Sequence, residues 1–248
     1  MRNDVGTIIS NEKIALDTYK MVIKSDLGLL MQPGMFVNIK IDNMYLRRPI
    51  SIAAYDEQQY TIIYKVVGDG TALMAKMQNN QQLDVLGPLG NPFPLTHYEP
   101  ALLVGGGVGV PPLYQLAKEL VIRNVDVEVV LGFRDKDSAF YVEAFEELGC
   151  KVYVASDDGS IGIKGNVLDA IKVNQIKNKF LYACGPMVML RALAACYTQG
   201  YMSFEARMAC GMGACMGCVC HDHDDQDLYY RICKDGPVLP IGKVDLSC

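Results

Sequence analysis

Apolar and polar positions change texture three times along the chain. Through residue 95 the apolar residues come in short, partly alternating runs. Tyr19–Lys24, Phe36–Ile41 and Tyr60–Val67 are each rich in β-branched or aromatic residues and read as strands. Gly34, Pro49, Gly68, Gly70, Gly87, Pro88 and Gly90 punctuate them as turns. One short helix is predicted over Thr71–Met77, where Leu73, Met74 and Met77 share a face. Short strands with frequent turn signals predict a small all-β barrel over residues 1–95.

From about Glu99 buried-strand runs alternate with helical periods. Ala101–Val104, Val127–Leu131, Lys151–Ala155 and Phe180–Ala183 read as strands. Pro111–Arg123, with Leu113, Leu116, Ala117 and Leu120 on one face, reads as a helix, as do Ser138–Leu148 and Met187–Tyr197. The alternation predicts an α/β domain over residues 96–203, a doubly wound parallel sheet covered on both faces. Pro94–Pro100 is the expected linker. After Gly200 the periodicity is lost: residues 204–248 are rich in Cys, Gly, Met and Asp, and so short a segment needs a staple to hold its fold.

Composition narrows the classes. Half of the 248 residues are apolar and 21% are charged, which excludes a disordered chain. A net charge of −5 argues against a nucleic-acid partner. No run of about 18 apolar residues occurs, so no membrane-spanning helix is expected. The opening residues carry no apolar export signal, and a reducing, cytoplasmic setting is expected. There a crowd of cysteines points to metal binding or catalysis more than to disulfides.

The cysteines are unevenly placed. None of the nine precedes Cys150, and five fall between Cys210 and Cys233. Cys210, Cys215, Cys218 and Cys233 have the spacing C-x4-C-x2-C-x14-C, that of plant-type [2Fe–2S] ligands. Three thiolates come from one loop and the fourth from a returning segment. Gly211, Gly213 and Gly217 are expected to take left-handed conformations and turn N–H groups toward the sulfurs. Met208, Met212 and Met216 would screen the site. The competing assignment is zinc or a set of unpaired thiols, although only Cys215 and Cys218 form a clean close pair of the zinc type. His221 and His223 lie in an acidic stretch, HDHDDQD, that reads as a solvated loop.

Two strand-to-helix junctions carry ligand signals. Gly105, Gly106, Gly107 and Gly109 open the first helix of the α/β part, a context that suits an anion at a helix N-terminus. They do not complete G-x-G-x-x-G, because Val110 and Pro112 stand where a third glycine would fall. Cys184, Gly185 and Pro186 form the second junction, at the same carboxyl edge of the sheet. In the barrel, Arg47-Arg48-Pro49-Ile50-Ser51 pairs guanidinium with hydroxyl, a phosphate-binding combination, and Gly68-Asp69-Gly70-Thr71 offers another.

Together, R-x-x-S in a barrel, GGGxGxxP and CGP resemble the ferredoxin–NADP reductase superfamily. SFEARMACGMGACMGC resembles one branch closely, the electron-transfer subunits of class B, NAD-dependent dihydroorotate dehydrogenases. The resemblance implies a six-stranded antiparallel barrel that binds FAD through Arg48, Pro49, Ile50, Ser51, Ile63, Tyr64, Lys65, Gly70 and Thr71. It implies NAD at Gly105–Gly109 and Cys184–Pro186, with Cys184 near the nicotinamide. It also implies a separate FMN-containing catalytic subunit that oxidises dihydroorotate in pyrimidine biosynthesis, in a heterotetramer of two copies each. Electrons would pass from FMN through [2Fe–2S] and FAD to NAD, with no side chain acting as acid or base. Ser156-Asp157-Asp158 would favour NAD over NADP by repelling a 2′-phosphate. Related subunits of NADH-dependent ferredoxin–NADP oxidoreductases and sulfide dehydrogenases typically carry an aspartate among the cluster ligands; Cys210 favours the dihydroorotate branch.

Overall fold

The computed structural model describes residues 1–96, 99–177 and 180–246. His97 and Tyr98 of the expected linker, and Cys248, lie outside the described residues. The N-terminal part is a closed barrel of β1 (Arg2–Ala15), β2 (Thr18–Lys24), β3 (Phe36–Ile39), β4 (Arg48–Tyr55), β5 (Gln59–Lys65) and β6 (Gln82–Leu89), in the order β1-β2-β5-β4-β3-β6. Every pairing within it is antiparallel. The period-two pattern sets which side chains face inward. Met21 and Ile23, Val37 and Ile39, Tyr60, Ile62 and Tyr64, and Leu83 and Val85 fill the interior. A short helix α1 (Asp69–Met74) buries Met74 in the same core.

The α/β part contains β7 (Ala101–Gly106), α2 (Pro111–Ile122), β8 (Val127–Phe133), α3 (Val142–Glu147), β9 (Lys151–Ser156), β10 (Ile163–Lys164), α4 (Val167–Val173), β11 (Phe180–Cys184), α5 (Met187–Ala194) and β12 (Gly200–Ser203). Strand β7 is buried along its whole length and distributes its side chains to both faces. Leu102 and Val104 join a core with Val167, Ala170 and Ile171 of α4 and Leu190 and Leu193 of α5. Ala101 and Leu103 join Leu113, Leu116, Ala117 and Leu120 of α2 and Phe145 of α3. The sheet is therefore covered on both sides, as the alternation implies.

The C-terminal segment adds β13 (Val219–His221), β14 (Tyr229–Arg231) and β15 (Val238–Pro240). The first two form a small antiparallel ribbon. The third pairs antiparallel with β12 and becomes the edge of a seven-stranded sheet, β10-β9-β8-β7-β11-β12-β15. The segment that carries the cysteines is thus stitched into the α/β sheet. Residues 138–148 are not one helix as expected: Lys136–Ser138 is a separate 3-10 turn, and Tyr141 sits at φ 66° in the left-handed region. The barrel meets the sheet through α2, whose Gln115 side chain accepts the N–H of Tyr55, and through an edge-on Phe93–Tyr182 contact.

Candidate functional site

Two cavities and one thiol cluster lie in series. The first cavity, about 300 Å³, lies against β4 and β5 of the barrel and is closed by Ser203–Ala206, Met208 and Pro237. Arg48, Pro49, Ile50, Ser51, Ile63, Tyr64, Lys65 and Thr71 all line it. Gly70 stands behind Arg48: a methyl there would overlap its guanidinium, lying 2.7 Å from Cζ and Nη2. The structure separates the two arginines. Arg47 is pinned to the barrel by Asp84 at 2.8 Å and by the carbonyls of Asn38 and Asp84, which leaves Arg48 for the cavity. The Thr71 hydroxyl is engaged by its own turn, accepting from the N–H groups of Val67 and Gly68. Phe36, Val67, Val108, Ser203, Phe204 and Glu205 complete the wall and were not singled out as contacts from sequence. Val108 and Ser203–Glu205 fall inside the glycine and cysteine motifs, but only the fold brings those segments against the barrel, so no local pattern marks them as its wall. Desolvation by the surrounding wall raises the Glu205 carboxyl above its ordinary value, although the residue itself stays solvent-exposed.

The second cavity, about 530 Å³, opens at the carboxyl edge of β7 and β8. Gly106, Gly107 and Pro186 line it, together with Thr18, Arg134, Ser138, Asp157 and Met189. Gly105, Gly109, Cys184 and Gly185 lie behind this wall. Gly109 is pressed on the second junction: a Cβ there would overlap the Cys184 carbonyl and lie 2.5 Å from the Gly185 nitrogen. Gly105 lets α2 approach, since its Cβ would lie 2.9 Å from Val110. Cys184 is buried, and burial pushes its thiol well above the ordinary range. Of Ser156-Asp157-Asp158, only Asp157 reaches the cleft. The Ser156 hydroxyl donates to the Ile161 carbonyl at 2.7 Å, and Asp158 is held by the N–H and hydroxyl of Ser160. The two cavities share Lys65 and Val108 as wall residues.

The cysteine loop follows the wall of the first cavity in the chain, with Cys210 two residues past Met208. Among the described residues, no three or more His, Cys, Asp or Glu side chains are arranged to hold a single metal ion. The thiols come together instead as Cys210 with Cys215 and Cys218 with Cys233. Backbone N–H groups already point at them: Gly213 to Cys233 Sγ at 3.1 Å, Cys215 to Cys210 Sγ and Cys233 to Cys218 Sγ, both at 3.4 Å. Burial works to raise the Cys210 thiol, but donors from Met212, Cys215 and Ala214 and the Cys215 thiol bring it to about 6. Burial and the neighbouring Cys218 push Cys233 up to about 12. Gly211 and Gly213 adopt φ of 69° and 83°, the left-handed turns expected of them. Gly217 does not, and a Cβ there would make only ordinary contacts, 3.5 Å from Cys215 Sγ. Two thiol pairs lined with N–H donors suit a two-iron cluster, which takes four thiolates, better than one tetrahedral ion. The acidic loop is organised by buried Asp222, which accepts from Tyr230 Oη at 2.6 Å and from the N–H groups of Asp224 and Asp225.

Comparison with known proteins matches this layout. Residues 205–245 match the iron–sulfur cluster binding domain of dihydroorotate dehydrogenase B, and residues 103–195 the oxidoreductase NAD-binding domain. The chain is 46% identical over 252 residues to the electron transfer subunit of dihydroorotate dehydrogenase B (NAD(+)) of Bacillus mycoides, covering 96% of this chain and 97% of that one. The chain belongs to this family of electron transfer subunits. The family member from Fusobacterium nucleatum is equally similar, 46% identical over 261 residues and covering both chains fully. Among solved structures, the NADH-dependent reduced ferredoxin–NADP oxidoreductase superposes with a TM-score of 0.88 at 33% identity, over 97% of this chain and 90% of that one. The flavohem-like FAD/NAD binding domain of Vibrio cholerae nitric oxide dioxygenase shares the fold, with a TM-score of 0.67 at 18% identity over 77% of this chain and 90% of that one. No helix among the described residues is long and apolar enough to cross a membrane.

Proposed function

We propose that this chain passes electrons from an FMN-containing subunit that oxidises dihydroorotate, through a [2Fe–2S] cluster and FAD, to NAD, within pyrimidine biosynthesis. The observation that carries the reading is the order of the sites. One cavity shares Lys65 and Val108 with the nucleotide cleft on one side, and is closed by Met208 beside the cysteine loop on the other. Bound FAD exchanges an electron pair with nicotinamide and single electrons with a cluster, so it belongs in the middle. Arg48 supplies a guanidinium to its diphosphate, and Pro49–Ser51 and Ile63–Lys65 wall its ring system. Gly106, Gly107 and Pro186 support NAD, while Asp157 faces its free ribose hydroxyls. Cys210, Cys215, Cys218 and Cys233 hold the cluster. Gly213 and its neighbours direct N–H donors at the thiolates, which favours the reduced state.

Met212 and Met216 are exposed beside these cysteines and form the docking face for the catalytic subunit. The assembly contains two copies of each chain. We place it in the reducing cytoplasm, where free thiols persist. The test is reconstitution. NAD reduction by dihydroorotate should appear only when this chain and the FMN subunit are mixed. A mixture silent with dihydroorotate but active with reduced ferredoxin would move the chain to the ferredoxin–NADP oxidoreductase branch.

A further inference from the structure

Asn38 is the one polar side chain that β3 presents between the barrel and the cysteine loop. It is 1% exposed. In register it pairs with Pro49, as Phe36 pairs with Ser51, and cross-strand partners share a face. Phe36, Pro49 and Ser51 all line the first cavity. Asn38 therefore stands on the outer face of the barrel, at the margin of that cavity. Its Nδ2 donates to the Cys210 carbonyl at 3.4 Å. Gly211 lies flat on the same amide: a Cβ at that position would overlap Nδ2 and lie 3.3 Å from Cγ.

The other end of the amide, Oδ1, is buried and has no hydrogen-bond partner. Turning the amide over would set Oδ1 against the Cys210 carbonyl, two acceptors facing each other, so the orientation is fixed by the loop. A buried amide with an orphan oxygen is destabilising, and a leucine would fill the same space without that cost. Barrel stability therefore does not explain the residue. Contact with the loop does.

We infer that Asn38 is a positioning residue that seats Cys210 and Gly211 on the flavin-binding barrel, fixing where the cluster stands relative to the flavin. This rests on the reading of the four cysteines as cluster ligands. Electron transfer falls steeply with distance, so a displaced loop slows exchange between flavin and cluster and leaves exchange between NADH and flavin alone. The test uses the purified full chain carrying flavin and cluster, as wild type, Asn38→Leu and Asn38→Asp.

In Asn38→Leu the melting temperature should hold or rise, and flavin reduction by NADH should stay within about twofold. The following flavin-to-cluster phase should slow about tenfold or more, with an altered electron paramagnetic resonance signal. In Asn38→Asp a carboxylate beside the loop should shift the cluster potential in the negative direction, which a purely steric role would not do. Wild-type resonance signal, potential and second-phase rate in both variants would overturn the inference. If Asn38→Leu loses its cluster, amide exchange over residues 209–213 is compared in cluster-free wild type and variant, and equal exchange overturns it. A wild-type chain without flavin or cluster would instead overturn the cofactor reading itself.

Discussion

Gly70→Ala separates flavin binding from folding in a single methyl group. Gly70 lies in the first turn of α1, and its φ lies outside the left-handed region, so alanine fits its backbone. Alanine at such a site stabilises the chain by about 0.4–1 kcal/mol by restricting the unfolded state. For a chain of this size the flavin-free melting temperature should hold or rise by about 1–4 °C. The new methyl would overlap the Arg48 guanidinium, 2.7 Å from Cζ and Nη2, and push it out of the cavity wall. A charge-assisted hydrogen bond to a diphosphate is worth about 1.5–3 kcal/mol. Its loss should raise the FAD dissociation constant about 10- to 150-fold. Titration of the flavin-free protein followed by flavin fluorescence measures this directly. In an Arg48→Ala background the same methyl should change little, because its victim is already gone. A folded Gly70→Ala protein with wild-type FAD affinity, or fully additive losses in the double variant, would refute the reasoning.

Cys233→Ser should lower iron content and visible cluster absorption while flavin stays bound and its reduction by NADH stays within about twofold; iron analysis and stopped-flow absorbance check both halves. Asp157→Ser removes a carboxylate from the nucleotide cleft and should lower the KM for NADPH about 5- to 30-fold, from about 1–2 kcal/mol of repulsion; an unchanged NADH-to-NADPH preference would count against it. Desolvation by its neighbours raises the exposed Glu205 carboxyl above its ordinary 4.5, so just above 4.5 the folded chain binds more protons than the unfolded one. Stability from this group is complete below that window and is lost as pH rises through it. Glu205→Gln should flatten the slope, and parallel melting curves from about pH 4 to pH 8 would contradict the sign. Met212→Glu with Met216→Glu should weaken binding of the catalytic subunit about tenfold or more without changing NADH oxidation by an artificial acceptor; unaltered affinity by calorimetry would exclude that face.

What could be read from the chain depended on how local each feature is. The cysteine spacing was legible because three of the four thiols come from one loop. Strands β2, β3 and β5 were legible because one face is buried and the period of two survives. Strand β1 was not: in RNDVGTIISNEKIA only Gly6 and Ile8 are buried, so little alternation remains. Helix α4 carries too short a period to be read from apolar spacing, although Asn166 and Asp169 form a capping box at its start, an N-x-x-D signal visible in the sequence. Strand β12, of four residues, exists because it pairs with β11 and β15, and the three-residue β15 because it pairs with β12; no window that short carries a period. The glycine turn was read as a ligand site throughout. The structure divides it: Gly106 and Gly107 face the cleft, whereas Gly105 and Gly109 serve close packing.

The pairing of β15 with β12 also bears on how this protein stays dispersed. A parallel sheet with a bare edge offers unpaired N–H and C=O groups to any neighbouring copy. Here one edge is the two-residue β10, and the other is the three-residue β15, which ends in Pro240 and so lacks one donor. Both are poor templates for self-association. Strand β15 belongs to the same C-terminal segment as the cysteines, so that segment also covers the edge that β12 would otherwise expose.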